Sequence, residues 1–153
     1  MKSLAALLVL GLLAIVQAQT KSIDVKGTLL CGTTGANDVK VHLLRNNTEE
    51  ATDILDDRVT TASGMFHIEA NTDSLSVNQT ELLPALRFYH NCDEDIKKAK
   101  GFRTFSLNIP ADYITIGRKA RKTYDVGTLN LQVIMPKEKR VKALPEPKNG
   151  EVV

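Results

Sequence analysis

A chain of 153 residues with no tryptophan and only 5% aromatic residues has room for one domain but not two, and its core volume must come mainly from Val, Ile and Leu, which favour strands. The formal net charge of +2 singles out no class of partner, but its distribution is uneven. Residues 19–116 carry 10 basic and 14 acidic side chains and residues 117–148 carry 9 basic and 3 acidic ones, so the C-terminal quarter is the basic end of a bipolar molecule.

The first eighteen residues, MKSLAALLVLGLLAIVQA, hold one lysine, an apolar run from Leu4 to Val16 and short side chains at Val16 and Ala18. This is the layout of a secretory signal peptide, and the run is too short and too early for a comfortable membrane span. The expectation is a signal peptide at 1–18, a domain at 19–135, and a secreted, extracellular product with no transmembrane segment.

From Ile23 the apolar positions recur at spacing two through Val25, Gly27, Leu29 and Cys31, which predicts a half-buried strand. GTTGAND supplies a turn, and DVKVHLLR resumes the alternation with Val39, Val41 and Leu43 on one face, so the two segments read as a hairpin-like pair. The polar segment NNTEEATDILDDR, with five acidic residues, reads as a solvent-facing connection. RVTTAS and MFHIEA then read as two short strands joined at Ser63-Gly64 in a tight hairpin.

ALRFYHN predicts a strand with Leu86, Phe88 and His90 on one face and Arg87 and Tyr89 on the other. DEDIKKAKG fits a short helix or a charged loop equally well. FRTFSLNIP places Phe105, Leu107 and Ile109 inward until Pro110 stops the ladder. After a mixed segment with a basic cluster, VGTLNLQVI puts Leu129, Leu131 and Val133 in phase as a last strand. About seven short strands separated by turn signals predict an all-β fold, an antiparallel β-sandwich forming one domain. Residues 136–153, charged, aperiodic and proline-bearing, read as a disordered basic tail.

Cys31 and Cys92 are the two cysteines of the chain, and a secreted protein passes through an oxidising compartment, which predicts one disulfide between them. The competing reading makes Cys92 a nucleophile activated by His90; it needs a reduced thiolate, which secretion disfavours. Asn46-Asn47-Thr48 and Asn78-Gln79-Thr80 are acceptor sequons in polar text, making Asn46 and Asn78 candidate glycosylation sites.

The stretches VKGTLLCG, DVKVHLLR, DDRVTTASGMFHI, LPALRFYHNC and IPADYITIG with YDVGTLNL together resemble the nematode transthyretin-like family of small secreted proteins, from about Val25 to about Val133. The resemblance implies a transthyretin-type β-sandwich and a role outside cells or at their surface; one family member bridges exposed phosphatidylserine on dying cells to a phagocyte receptor. Many members carry a third and a fourth cysteine, and the corresponding neighbourhoods here, IKKAKGFR and PKEKR, have none. The related 5-hydroxyisourate hydrolases carry a catalytic histidine where this chain has Thr28, and their C-terminal Tyr-Arg-Gly-Ser has no counterpart, so that hydrolysis is not expected.

His42, His67 and His90 fall on three predicted strands, the first two between inward positions and the third in phase with them, which disfavours a shared metal site. His42 and His67 are therefore expected at the surface and His90 partly buried. No metal, cofactor or nucleic-acid partner is expected, nor enzymatic activity. Arg118, Lys119, Arg121 and Lys122 place four cations in five residues and are the candidate anion- or lipid-binding residues, next to Lys137, Lys139, Arg140 and Lys142. Arg118-x-x-Arg121 and Lys139-Arg140 also have the form of secretory processing sites. The reading is a non-enzymatic extracellular binding protein acting on a cell surface, a receptor or another secreted protein. The alternative is an oligomeric carrier of a small apolar ligand, by analogy with transthyretin.

Overall fold

A computed structural model describes residues 19–76, 79 and 81–146, so the expected signal peptide and Asn78 lie outside the described residues. The described residues fold as all-β, with ten strands among them: β1 Lys21–Cys31, β2 Thr34–Gly35, β3 Lys40–Leu44, β4 Ile54–Val59, β5 Met65–Asn71, β6 Ala85–His90, β7 Phe102–Asn108, β8 Thr115–Ile116, β9 Thr123–Asn130 and β10 Lys139–Val141. The three beyond the seven expected, β2, β8 and β10, have two or three residues each, too few to show an alternation in sequence.

Two five-stranded sheets form the sandwich. In the first, β1 is the hub, since β2, β5, β8 and β9 all pair with it. The second has the order β10-β7-β6-β3-β4, antiparallel throughout. The first sheet departs from the expected antiparallel arrangement in one pair: β9 runs parallel to β1, Asp24 opposite Thr123 and Leu30 opposite Asn130. A parallel pair needs a long crossover, and four of the five strands of the second sheet, β3, β4, β6 and β7, lie within it.

The core follows the period-two reading. Ile23, Val25 and Leu29 from β1 and Phe66 and Ile68 from β5 meet Val41, Leu43, Leu86, Phe88 and Phe105 from the second sheet. Phe88 stacks on Phe105 at a centroid distance of 4.9 Å and takes the edge of Phe66 at 5.8 Å. Aromatic packing of this kind adds about 0.5–1.5 kcal/mol per pair to the burial itself, so three of the four phenylalanines do much to close a core without tryptophan.

Four local expectations are corrected. The segments read as hairpin partners, β1 with β3 and β4 with β5, belong to opposite sheets, and β1 instead turns back onto β2. The turn before β5 is tight as expected, with Gly64 N donating to Thr61 O at 2.8 Å and Thr61 N to Met65 O at 3.0 Å, but it carries the chain across the sandwich. Gly64 has φ +81, and a Cβ there would sit 1.9 Å from Leu29 O; Leu29 N donates to Gly64 O at 2.8 Å, so the turn lies flat on β1.

Strand β4 begins at Ile54, inside the segment read as a solvent-facing connection. Its start is fixed by Asp53, 2% exposed, whose carboxylate takes a charge-assisted bond from Arg45 and another from Thr48 Oγ1, and whose carbonyl accepts Arg45 N at 2.7 Å. Residues 139–141, expected in a disordered tail, form β10, with Arg140 opposite Arg103 and Lys139 opposite Thr104. Ion pairs from Arg103 to Glu138, Lys139 to Glu49 and Arg140 to Glu94 hold this segment, a pairing that periodicity does not register. Last, β9 ends at Asn130; Leu131 is buried, but Val133 is 59% exposed rather than inward.

Phe88→Ala is expected to lower unfolding free energy by about 3–5 kcal/mol, whereas Val133→Ala changes it by less than about 0.5 kcal/mol. Urea unfolding of the two variants checks this.

Candidate functional site

Cys31 is the last residue of β1 and Cys92 lies just beyond β6, and the two are joined in a disulfide that links the first sheet to the second. His90 has a different role from its neighbour. Its ring faces the core against Phe105, and its Nδ1 accepts the backbone N–H of Cys92 at 3.2 Å, fixing the turn that presents the cysteine. The two members of the His-x-Cys motif therefore act in packing and in covalent closure, and no thiolate remains for nucleophilic chemistry. Cys31, Cys92 and Asp93 are, among the described residues, the one close group of metal-type ligands, and both of its sulfurs are consumed in the bridge.

The histidines do not converge. His67 lies on the outer face of the first sheet, 63% exposed at its side chain, with Nε2 2.5 Å from Asp24 Oδ1; Thr123 also donates to Asp24. His42, expected at the surface, is fully buried on the outer face of the second sheet, tilted against Tyr89 at 4.9 Å. The correction has a visible cause: residues 46–49 and 141–145 cover this face, so β6 is buried on both sides. Arg87 is 5% exposed there and donates to Ser106 Oγ at 3.0 Å, Thr48 O at 2.7 Å and Asn47 Oδ1 at 2.6 Å.

Burial dominates the titration of two histidines. Desolvation brings His42 from its usual 6.5 down to about 4, with Asp57 opposing and Lys40 and Arg87 assisting. It brings His90 to about 4 as well, assisted chiefly by Arg103. Among the described residues neither ring nitrogen of His42 has a hydrogen-bond partner, nor does Nε2 of His90. Both rings are thus neutral at physiological pH.

The four candidate cations lie on the loop between β8 and β9, and all four are exposed. The backbone of this loop is anchored: Gly117 N donates to Thr20 O at 2.8 Å, Ala120 N to Glu69 Oε1 at 3.2 Å and Arg121 N to Thr115 Oγ1 at 3.0 Å. Arg118 pairs with Asp73 at 2.8 Å and Lys122 Nζ donates to Asp112 O at 3.3 Å. Among the described residues, Lys119, Arg121 and Lys122 have no carboxylate partner. Ile116, immediately before the loop, is 64% exposed, an apolar neighbour that the sequence reading did not attach to the cations.

The basic tail is different, because Lys139 and Arg140 are committed to Glu49 and Glu94. The bond from Lys139 holds the Glu49 carboxyl below its ordinary range. Asn46 is half-buried in the bend after β3, with its carbonyl accepting Thr48 N at 2.8 Å. It lies at the basic-loop end of the sandwich, since a cleft there is lined by Asn46, Asn108, Ala111 and Ile114, the last preceding β8. The disulfide is at the far end of β1. Among the described residues no helix is long and apolar enough to cross a membrane.

Comparison with known proteins matches residues 26–110 to the model of the Transthyretin-like family. Transthyretin-like protein 46 of Caenorhabditis elegans is similar at 42% identity over 132 residues, 86% of this chain and 70% of that protein. Transthyretin-like proteins 2 and 33 of the same organism are 32% and 30% identical, covering 80% and 79% of this chain and 82% and 81% of their own lengths. A solved 9R-lipoxygenase from Cyanothece aligns at 20% identity over 72% of this chain, but this spans only 16% of that protein with a TM-score of 0.38, and it carries no argument.

Opening the bridge by Cys31→Ser with Cys92→Ser, which releases a sequence separation of 61, is expected to cost about 4 kcal/mol in urea unfolding. For the histidines, the unfolded chain takes up protons below pH 6.5 and the folded chain only near 4, so stability is complete above 6.5 and falls as pH drops toward 4. Each ring is expected to contribute on the order of 3 kcal/mol of that loss. His42→Leu is expected to flatten the dependence of the urea midpoint between pH 6.5 and 4 by one histidine's share; an unchanged slope would count against burial of His42 as its source.

Proposed function

The chain belongs to the transthyretin-like family, and from that premise we propose that it is a secreted, non-enzymatic binding protein that engages anionic lipid headgroups outside cells through the loop between β8 and β9. The family relationship supports a binding or carrier type of protein, and its named relatives are transthyretin-like proteins. The observation that carries the finer reading is an exposed loop whose backbone is tied down while Lys119, Arg121 and Lys122 have no acidic partner among the described residues.

Unpaired cations on a fixed loop keep their charge available to a ligand and lose little conformational freedom when it binds. Ile116 favours a lipid surface over a sulfated glycan, because an exposed apolar side chain beside the cations gains by entering the interfacial region and gains nothing from a sugar chain. The tail cations play no part in this reading, since Lys139 and Arg140 stabilise β10 instead. Asn46 is proposed as a glycan acceptor.

Each cation near an anionic bilayer is worth about 1 kcal/mol, so replacing Arg118, Lys119, Arg121 and Lys122 by Gln is expected to weaken binding to phosphatidylserine-containing vesicles by roughly 100-fold or more. Binding to phosphatidylcholine vesicles should be weak before and after the change, and Ile116→Asn should weaken vesicle binding while sparing any binding to heparin. Vesicle co-sedimentation unaffected by the fourfold replacement would defeat the reading.

A further inference from the structure

The outer face of the second sheet presents a puzzle in polar burial. His42, Arg87, Tyr89 and Thr104 lie on that face, none more than 5% exposed, beneath the covering residues 46–49 and 141–145. Buried polar groups normally find hydrogen-bond partners, because leaving one unmade costs more than the bond returns. Arg87 is well supplied with acceptors, but Thr104 Oγ1, at a residue 1% exposed, has no hydrogen-bond partner among the described residues.

Thr104 does not face packed protein. It lines a cavity of about 280 Å³ whose floor is Arg87, Tyr89 and Thr104 and whose roof includes Val141, Leu144 and Pro145. A polar floor under an apolar roof suits a small amphipathic molecule. Charge sets its sign: among the described residues Arg87 is the one cation of the lining, and Glu49 at the rim, 3.8 Å from Arg87 Nη1, has its carboxylate engaged by Lys139 from outside the lining. The remaining guanidinium N–H groups of Arg87, the Tyr89 hydroxyl and the Thr104 hydroxyl are donors that a carboxylate accepts.

We infer that this cavity is a binding site for a small carboxylate with a short apolar body, of the size of benzoate, held with its head on Arg87, Tyr89 and Thr104 and its body against Val141 and Leu144. The site is independent of the cationic loop, because none of Arg118, Lys119, Arg121 and Lys122 lines it. It is also built within a single chain, so no oligomer is needed to form it. Residues 139–146 then serve two ends: β10 closes the sheet edge at β7, and the segment after it roofs the ligand.

The test is a titration of the disulfide-bonded, isotopically labelled protein with benzoate, followed by amide chemical shifts, with benzyl alcohol as a neutral probe of similar size. Saturable shifts are expected at Arg87, Tyr89, Thr104 and residues 141–144, with a Kd of about 1 mM for a ligand this small and at least tenfold weaker binding of benzyl alcohol. Thr104→Val keeps the shape and removes an unpaired buried hydroxyl, so its urea midpoint should hold or rise while benzoate binding falls about tenfold. Absence of saturable shifts at these residues up to about 20 mM benzoate would mean the cavity holds only water. Equal affinity for benzyl alcohol, or Thr104→Val binding benzoate as the parent does, would also overturn the assignment.

Discussion

Every strand of the first sheet hydrogen-bonds to β1, so whatever fixes β1 fixes that sheet. Its last residue, Cys31, is bonded to Cys92 at the end of β6, a strand buried on both faces in the middle of the second sheet. The bridge therefore ties the hub of one layer to a central strand of the other, and the phenylalanine contacts among β5, β6 and β7 close the space between the layers. A domain with few aromatics has a limited apolar contribution, and a covalent tie between its two best-connected strands compensates by narrowing the unfolded ensemble. The basic loop and the covered polar face both depend on this frame, the first at the far end of β1 and the second on the back of β6.

Much of the fold was legible because inward and outward residues alternate along β1 and β5, and period two is a local property. The β-sandwich, the disulfide and the inward placement of Leu86, Phe88 and His90 follow from local text. What local text could not settle was which strand pairs with which. A tight turn at Gly64 looks the same whether the chain folds back into its own sheet or crosses to the other, and the deciding contact, Leu29 with Gly64, joins residues 35 apart in sequence. The same limit hid His42: its phase on β3 was read correctly as facing away from the core, but that face is covered by residues from two distant segments. Strand β10 was missed for a related reason, since three residues flanked by prolines and charges carry no alternation, and their order comes from ion pairs with Glu49 and Glu94.

The two basic segments look alike in composition and differ in physical state. In the tail, Lys139 and Arg140 spend their charge on neighbouring carboxylates, and part-exposed pairs of this kind matter more for orientation than for energy. In the loop, hydrogen bonds from the backbone do the anchoring, and three of the four side chains keep no carboxylate partner among the described residues. A count of lysines and arginines merges the two, whereas ion pairing separates a structural use of charge from one open to a partner.

The arrangement of β1 also bears on the order in which the chain can fold. Its residues are the first of the domain to leave the ribosome, yet its parallel partner begins at Thr123, about one hundred residues later. The second sheet consists largely of neighbours close in sequence, such as β6 with β7, and can pair while synthesis continues. The first sheet can pair β1 with β2 and β5 early, but the other edge of its central strand stays open until β9 arrives. Topologies dominated by such distant pairings fold slowly and leave strand edges open in the interval. Until that moment β1 keeps one apolar edge open beside its partner β5, and bridging Cys31 to Cys92 before β9 has emerged would hold the pair against the sheet it must eventually face.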